Sequence, residues 1–214
     1  MASQKASVKT NAAIRRPQRQ RGRERVAALL KAGEEIFAEK GFDAATMTEI
    51  AARAKASIGS LYQFFPTKEL LADALQTANG EALAQMLEAL GERSKQMTPA
   101  ELLDSLFQDL SAFLLAHPSF VLLADRPAAD KKQKTERRNR MRSQIATLLS
   151  QTSPPLPRER ADIMAVIVLH LMRVAAAVSG EMDLPIRDAV LRDLRAMLIR
   201  QVIEPEQSPR IRPL

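Results

Sequence analysis

Thr46-Met47-Thr48-Glu49-Ile50-Ala51-Ala52-Arg53-Ala54-Lys55-Ala56-Ser57-Ile58-Gly59-Ser60-Leu61-Tyr62-Gln63-Phe64-Phe65-Pro66 is the stretch that decides the fold. Thr46 and Glu49 have the spacing of a capping box, in which the hydroxyl accepts from a main-chain N–H and the carboxylate reaches back to the cap. The helix they open turns Ile50 and Ala51 inward and has room to about Ala54. Ser57 is the next cap, and the helix after it must stop before Pro66, because the residue preceding a proline is pushed out of the helical region. Two short helices therefore flank Lys55-Ala56. That is the spacing of a helix-turn-helix, whose second helix can lie along base edges in a major groove while the first supports it.

The residues on either side agree. Upstream, Val26, Leu29, Leu30, Gly33 and Phe37 form the stripe of a helix buried on one side, with order beginning near Arg23 and an end at Lys40-Gly41. Downstream, Thr67 caps a long helix through Leu71, Leu75, Ala78, Ala82, Met86 and Leu90 to about Gly91, which Asn79-Gly80 is expected to interrupt. Thr98-Pro99-Ala100-Glu101 joins a cap, a first-turn proline and a capping-box glutamate. Behind it come Leu102, Leu103, Leu106, Phe107, Leu110, Phe113 and Leu114, broken at His117-Pro118. Shorter helical stretches follow at Phe120 to Ala124 and Asp130 to Ser150. A proline-rich connector at Ser153 to Pro157 precedes two final helices, the apolar residues 163 to 178 and Ile186 to Val202.

Composition points the same way. The 214 residues include seven glycines and no cysteine, with 46% hydrophobic and 27% charged side chains. Disulfides, thiolate metal sites and cysteine nucleophiles are excluded, and few glycines amid abundant Ala, Leu, Met, Gln, Glu and Arg predict an all-α fold. Two separated histidines, no glycine-rich phosphate loop and no His-Glu-x-x-His pattern argue against an enzyme and call for no cofactor or metal. The net charge of +7 is concentrated at one end. Residues 1 to 25 carry eight basic groups against Glu24 alone, and the rest of the chain is balanced. Such an arm suits a polyanion, and no apolar run follows it as in a secretion signal, so a cytoplasmic protein is expected.

The segment from Phe37 to Leu71 closely resembles the DNA-binding domain of the tetracycline repressor (TetR) family. The likeness is carried by Phe42-Asp43-Ala44-Ala45-Thr46-Met47-Thr48-Glu49-Ile50-Ala51 and by Ile58-Gly59-Ser60-Leu61-Tyr62-Gln63-Phe64-Phe65-Pro66-Thr67-Lys68-Glu69-Leu70-Leu71. It implies a three-helix DNA-binding domain at 22–72 and a larger helical effector-binding and dimerisation domain at 73–204; outside them the residues themselves read as a disordered basic arm at 1–21, without helical period and interrupted by Pro17, and a disordered tail at 205–214. It also implies a regulator, more often a repressor, that binds a palindromic operator as a homodimer and is released by a small molecule when the long fourth helix swings the two heads out of register. A sequence-tolerant architectural DNA binder without a ligand is the alternative.

Candidate residues follow from chemistry and from this likeness together. Leu61 and Phe65, four apart, should face the supporting helices. Gly59 lets backbone approach a groove wall, Ser60 and Gln63 suit base edges, and Ile58 could meet a thymine methyl. Tyr62, Ser57 and Lys68 suit phosphates, with core packing the competing role for Tyr62. By the family's pattern Thr48 faces DNA. Lys55 stands where many members have glycine, so either the turn differs slightly from theirs or Lys55 offsets the cost of a left-handed conformation by reaching a phosphate. Arg19, Arg21 and Arg23 are arm contacts. The basic run from Lys131 to Arg142 reads as a solvated face ahead of a second DNA site.

For an apolar or amphipathic effector the expected lining is Met86, Leu90, Leu103, Phe107, Leu110, Phe113, Phe120, Met164, Ile167 and His170, most of which would serve equally as core. His170 and Arg173 share a helix face that suits an anion or a protein counter-charge. The sixteen residues from 163 to 178, apolar except for His170 and Arg173, reach roughly 24 Å, short of the ~30 Å hydrocarbon layer. The last two helices are therefore expected to bury their surplus apolar surface against a second copy, with no membrane partner.

Overall fold

The computed structural model describes residues 20–126, 131–181 and 183–203. The expected tail at 205–214, most of the expected arm and Arg19 lie outside them. Among the described residues every regular element is an α-helix: α1 (Gln20–Ala44), α2 (Met47–Arg53), α3 (Ile58–Phe64), α4 (Lys68–Ser94), α5 (Pro99–Ala116), α6 (Ser119–Asp125), α7 (Lys131–Ser150), α8 (Arg158–Gly180) and α9 (Arg187–Ile203). The chain forms two compact units, Met1–Leu75 and Gln76–Leu214.

In the first unit α1, α2, α3 and the start of α4 enclose a small core. Leu29, Ile36, Phe37, Ile50, Leu61, Phe65 and Leu71 are all nearly inaccessible to solvent. Gly33 lies under Leu71, whose Cδ2 would stand 3.4 Å from an added Cβ. The first helix begins earlier than its apolar stripe indicates, so Arg21 and Arg23 stand on helical turns and not on an arm. Gln20 donates to Glu24 one turn on at 3.0 Å, a pairing that supports an exposed turn without burying anything. After Lys40 the chain bends through Gly41 (φ 75), the left-handed conformation that glycine adopts at least cost.

The second unit is built around one cluster. Leu83, Leu87 and Leu90 of α4 pack with Leu102, Leu106 and Phe107 of α5, Ile145 and Leu149 of α7, Met164 and Val168 of α8, and Leu198 of α9. The expected interruption at Asn79-Gly80 is absent: α4 runs unbroken through it. A helical glycine costs about 1 kcal/mol relative to alanine, less than the burial of the three leucines that follow. The α5 capping box is formed, with Thr98 accepting from the Glu101 N–H at 3.3 Å and Glu101 accepting from the Thr98 N–H at 2.8 Å. Asp104 of α5 and Arg195 of α9 form an ion pair.

By length and composition α8 could cross a membrane. One side of it, Ala161, Met164, Ala165, Val168, Met172 and Ala175, is buried in the second unit. The opposite side leaves Ile163, Val166 and Val174 exposed.

Candidate nucleic-acid interface

Construction of the interface starts at α2. Thr46 accepts from the Glu49 N–H at 3.2 Å and Glu49 from the Thr46 N–H at 3.1 Å, closing the capping box. Lys40 of α1 donates to Glu49 at 2.5 Å. That ammonium first, and the Thr46 contacts second, hold the Glu49 carboxyl down at about 2. At the other end of α2, Arg53 grips Glu39 through two bonds of 2.7 and 2.9 Å and reaches Glu35 at 3.2 Å. The carboxylates raise the Arg53 pKa. Both ends of α2 are thereby bolted to α1.

The turn that follows is a Schellman closure. The Ala56 N–H donates to Ala51 at 2.9 Å and the Lys55 N–H to Ala52 at 3.0 Å. This pattern needs a left-handed residue between cap and exit, and Lys55 supplies it at φ 50. The Lys55 carbonyl accepts from Arg25 of α1 at 3.4 Å. Arg25 was not among the residues expected from sequence, because a contact across thirty positions leaves no local signal.

Ser57 then caps α3, accepting from the Ser60 N–H at 3.2 Å. Leu61 and Phe65 point into the core at 0% and 1% exposure, while Ile58 and Tyr62 stand out at 40% and 49%. Gly59 and Gln63 are exposed as well, and Ser60 is half-buried. Tyr62 is thus not a core residue. Thr48, on the first turn of α2, is exposed, as are Lys55, Ser57, Arg21 and Arg23. A Cβ added to Gly59 would meet nothing within 4 Å, so nothing in the protein itself requires glycine there.

Lys68, expected at a phosphate, turns its ammonium onto main-chain carbonyls. Its ammonium donates to the carbonyls of Phe42, Asp43 and Ala45 at 2.7, 3.0 and 2.9 Å. An ammonium has three donors, and all three are spent inside the protein.

Of the expected effector contacts, Leu90, Leu103, Phe107, Leu110, Phe113 and Met164 are buried in the second unit's cluster, with Met86, Phe120 and Ile167 half-buried against it. Phe113 and Phe120 meet edge to face, their centroids 5.4 Å apart. His170 does not join them. It is exposed, because the stripe that α8 buries runs through Val168 and Met172 on its other side. A surface cleft of about 270 Å³ lined by Asn139, Arg142, Ser143, Arg158, Asp162 and Val166 shares no residue with the expected lining.

A capped supporting helix, a tight left-handed turn and a second helix with one apolar and one exposed side make up a helix-turn-helix DNA-binding domain. Residues 29–75 match the family described as bacterial regulatory proteins, tetR family. Those residues carry a DNA-binding domain of the TetR type, and the match spans the first helix-turn-helix unit and not the larger helical unit behind it. Over 69 residues it is 39% identical to the HTH-type transcriptional repressor Rv3405c of Mycobacterium tuberculosis, a match spanning 32% of this chain and 37% of that protein. A TetR-like transcriptional regulator from Rhodococcus sp. RHA1 superposes with a TM-score of 0.64 over 88% of this chain and 99% of its own, at 21% identity. AibR, solved in complex with isovaleryl coenzyme A and operator DNA, has a TM-score of 0.64 over 82% of this chain and 98% of its own, at 14% identity.

Proposed function

We propose that this protein is a cytoplasmic transcriptional repressor that binds a palindromic operator as a homodimer and releases it when a small effector binds. One observation carries the reading: α3 buries Leu61 and the Phe65 that closes it, and leaves Ile58, Gly59, Tyr62 and Gln63 to solvent. Gln63 and Ser60 then address base edges, and Ile58 a thymine methyl. Tyr62, Ser57, Thr48 and Lys55 meet the flanking phosphates, with Arg21 and Arg23 further out.

The repressor assignment draws on the name of the Mycobacterium tuberculosis relative. The dimer rests on Ile163, Val166 and Val174 of α8 and on Met197 and Ile203 of α9, large apolar side chains left exposed within a single chain. A second copy would cover them and place two recognition helices about 34 to 36 Å apart, one turn of duplex. For the effector, the isovaleryl coenzyme A held by AibR and the edge-to-face pair of Phe113 and Phe120 favour a molecule with an apolar body.

The test is a gel shift on the chain's own upstream DNA. Tyr62→Ala is expected to weaken specific binding roughly tenfold, the worth of one charge-assisted hydrogen bond, and to leave the sedimentation of the protein unaltered. Equal affinity of variant and parent would remove Tyr62 from the interface. Equal affinity of the parent for random and upstream DNA would replace the repressor with an architectural binder.

A further inference from the structure

Lys68, at the head of α4, is more tightly engaged than any other cation of the first unit's described surface that was expected to reach DNA. Besides its three carbonyl bonds, its ammonium lies 4.6 Å from the centroid of the Phe42 ring. The charge is met by main-chain dipoles and an aromatic face, not by a carboxylate. The carbonyls it gathers are consecutive parts of one corner. Phe42 and Asp43 follow the left-handed Gly41 at the end of α1, and Ala45, 2% exposed, immediately precedes the Thr46 cap of α2.

We infer that Lys68 is a positioning residue, the joint that locks the first turn of α4 to the α1–α2 corner and so fixes how α2 and α3 are presented to DNA. The inference rests on the DNA-binding reading of this domain. Its geometry is specific: a point charge with three tetrahedrally disposed N–H groups can converge on three carbonyls, which the planar fork of an arginine cannot do. Thr48 follows the cap by two residues. Any change in the direction of α4's first turn therefore reaches the groove-facing end of α2 through three hydrogen bonds.

The experiment uses the full chain and a duplex that the unaltered protein selects from a random-sequence library. Lys68→Met keeps the stem and removes the donors. Measured well below its melting temperature, it is expected to bind the selected duplex about tenfold more weakly, in line with lost charge-assisted bonds, with affinity for unselected duplex and the salt slope both unchanged. Amide exchange at residues 46–50 in the free protein is expected to accelerate. A salt slope reduced by about one, with equal loss on both duplexes, is the mark of a phosphate contact and would overturn the joint. Unaltered affinity with only a lower melting temperature would reduce Lys68 to a stabilising contact and overturn it too.

Should Lys68→Met fail to fold, Lys68→Arg separates the same cases: a phosphate contact survives the exchange and a three-carbonyl joint does not. A parent that selects no sequence defeats the operator-binding reading alone. The exchange rates at 46–50 then still decide the joint, and unchanged rates would refute it.

Discussion

Lys55 combines a backbone conformation that suits glycine with a side chain that suits a phosphate. A left-handed non-glycine residue costs roughly 1 kcal/mol or more, and a strained residue beside a binding surface is a reason to look for function there. Lys55→Gly is expected to raise the melting temperature slightly, while DNA affinity falls and the salt slope drops by about one. Opposite movements of stability and affinity in thermal denaturation and gel-shift titration are the signature. Glu49 offers a second residue-scale test. Its carboxyl is held at about 2 against an ordinary 4.5 by Lys40 and then Thr46, so the folded state binds the proton less readily than the unfolded chain. Glu49 thus contributes stability that is complete above 4.5 and is lost as the pH falls toward about 2. Glu49→Gln should flatten the acid limb of melting temperature against pH relative to the parent. An unchanged limb would show the ion pair to be inert.

Recognition by α3 depends on a helix whose two sides do different work. Leu61 anchors it, and Leu61→Ala should cost about 2 to 5 kcal/mol in urea denaturation, the range for a buried leucine. Gly59 is the reverse case. With open space around it, Gly59→Ala should stabilise the free protein by up to about 1 kcal/mol. The added methyl would stand between helix and groove wall, so the same variant should bind its DNA less well. Tighter or equal DNA binding would mean that α3 does not approach a duplex at this point. The elements that sequence located well, α2, α3 and the start of α5, are those with local stops: a capping box, a serine cap, a proline. The break expected at Asn79-Gly80 failed because a local signal worth about 1 kcal/mol was set against non-local burial of Leu83, Leu87 and Leu90.

At the scale of the molecule, α8 carries the test of the proposed dimer. Its hydropathy exceeds what one buried stripe requires, and Val166 and Ile163 remain at 37% and 45% exposure. Val166→Asp should leave the helix content of the protein intact by circular dichroism and convert a dimer to monomers in sedimentation. Operator binding would fall with it, since one head alone cannot span two half-sites. A variant that still sediments as a dimer would place the subunit interface elsewhere.

Sequence by itself determined the helical class, the capped helix-turn-helix, the apolar anchors Leu61 and Phe65 and the exposure of Gln63, because caps, stops and helical periodicity act within one or two turns. Only the tertiary structure decided that Lys68 serves carbonyls of the α1–α2 corner, that Arg25 holds the Lys55 turn, and that His170 lies off the buried stripe of α8. Those outcomes depend on which side chains arrive from 20 or more residues away, or on which side of a uniformly apolar helix is covered, and no local pattern of residues encodes either.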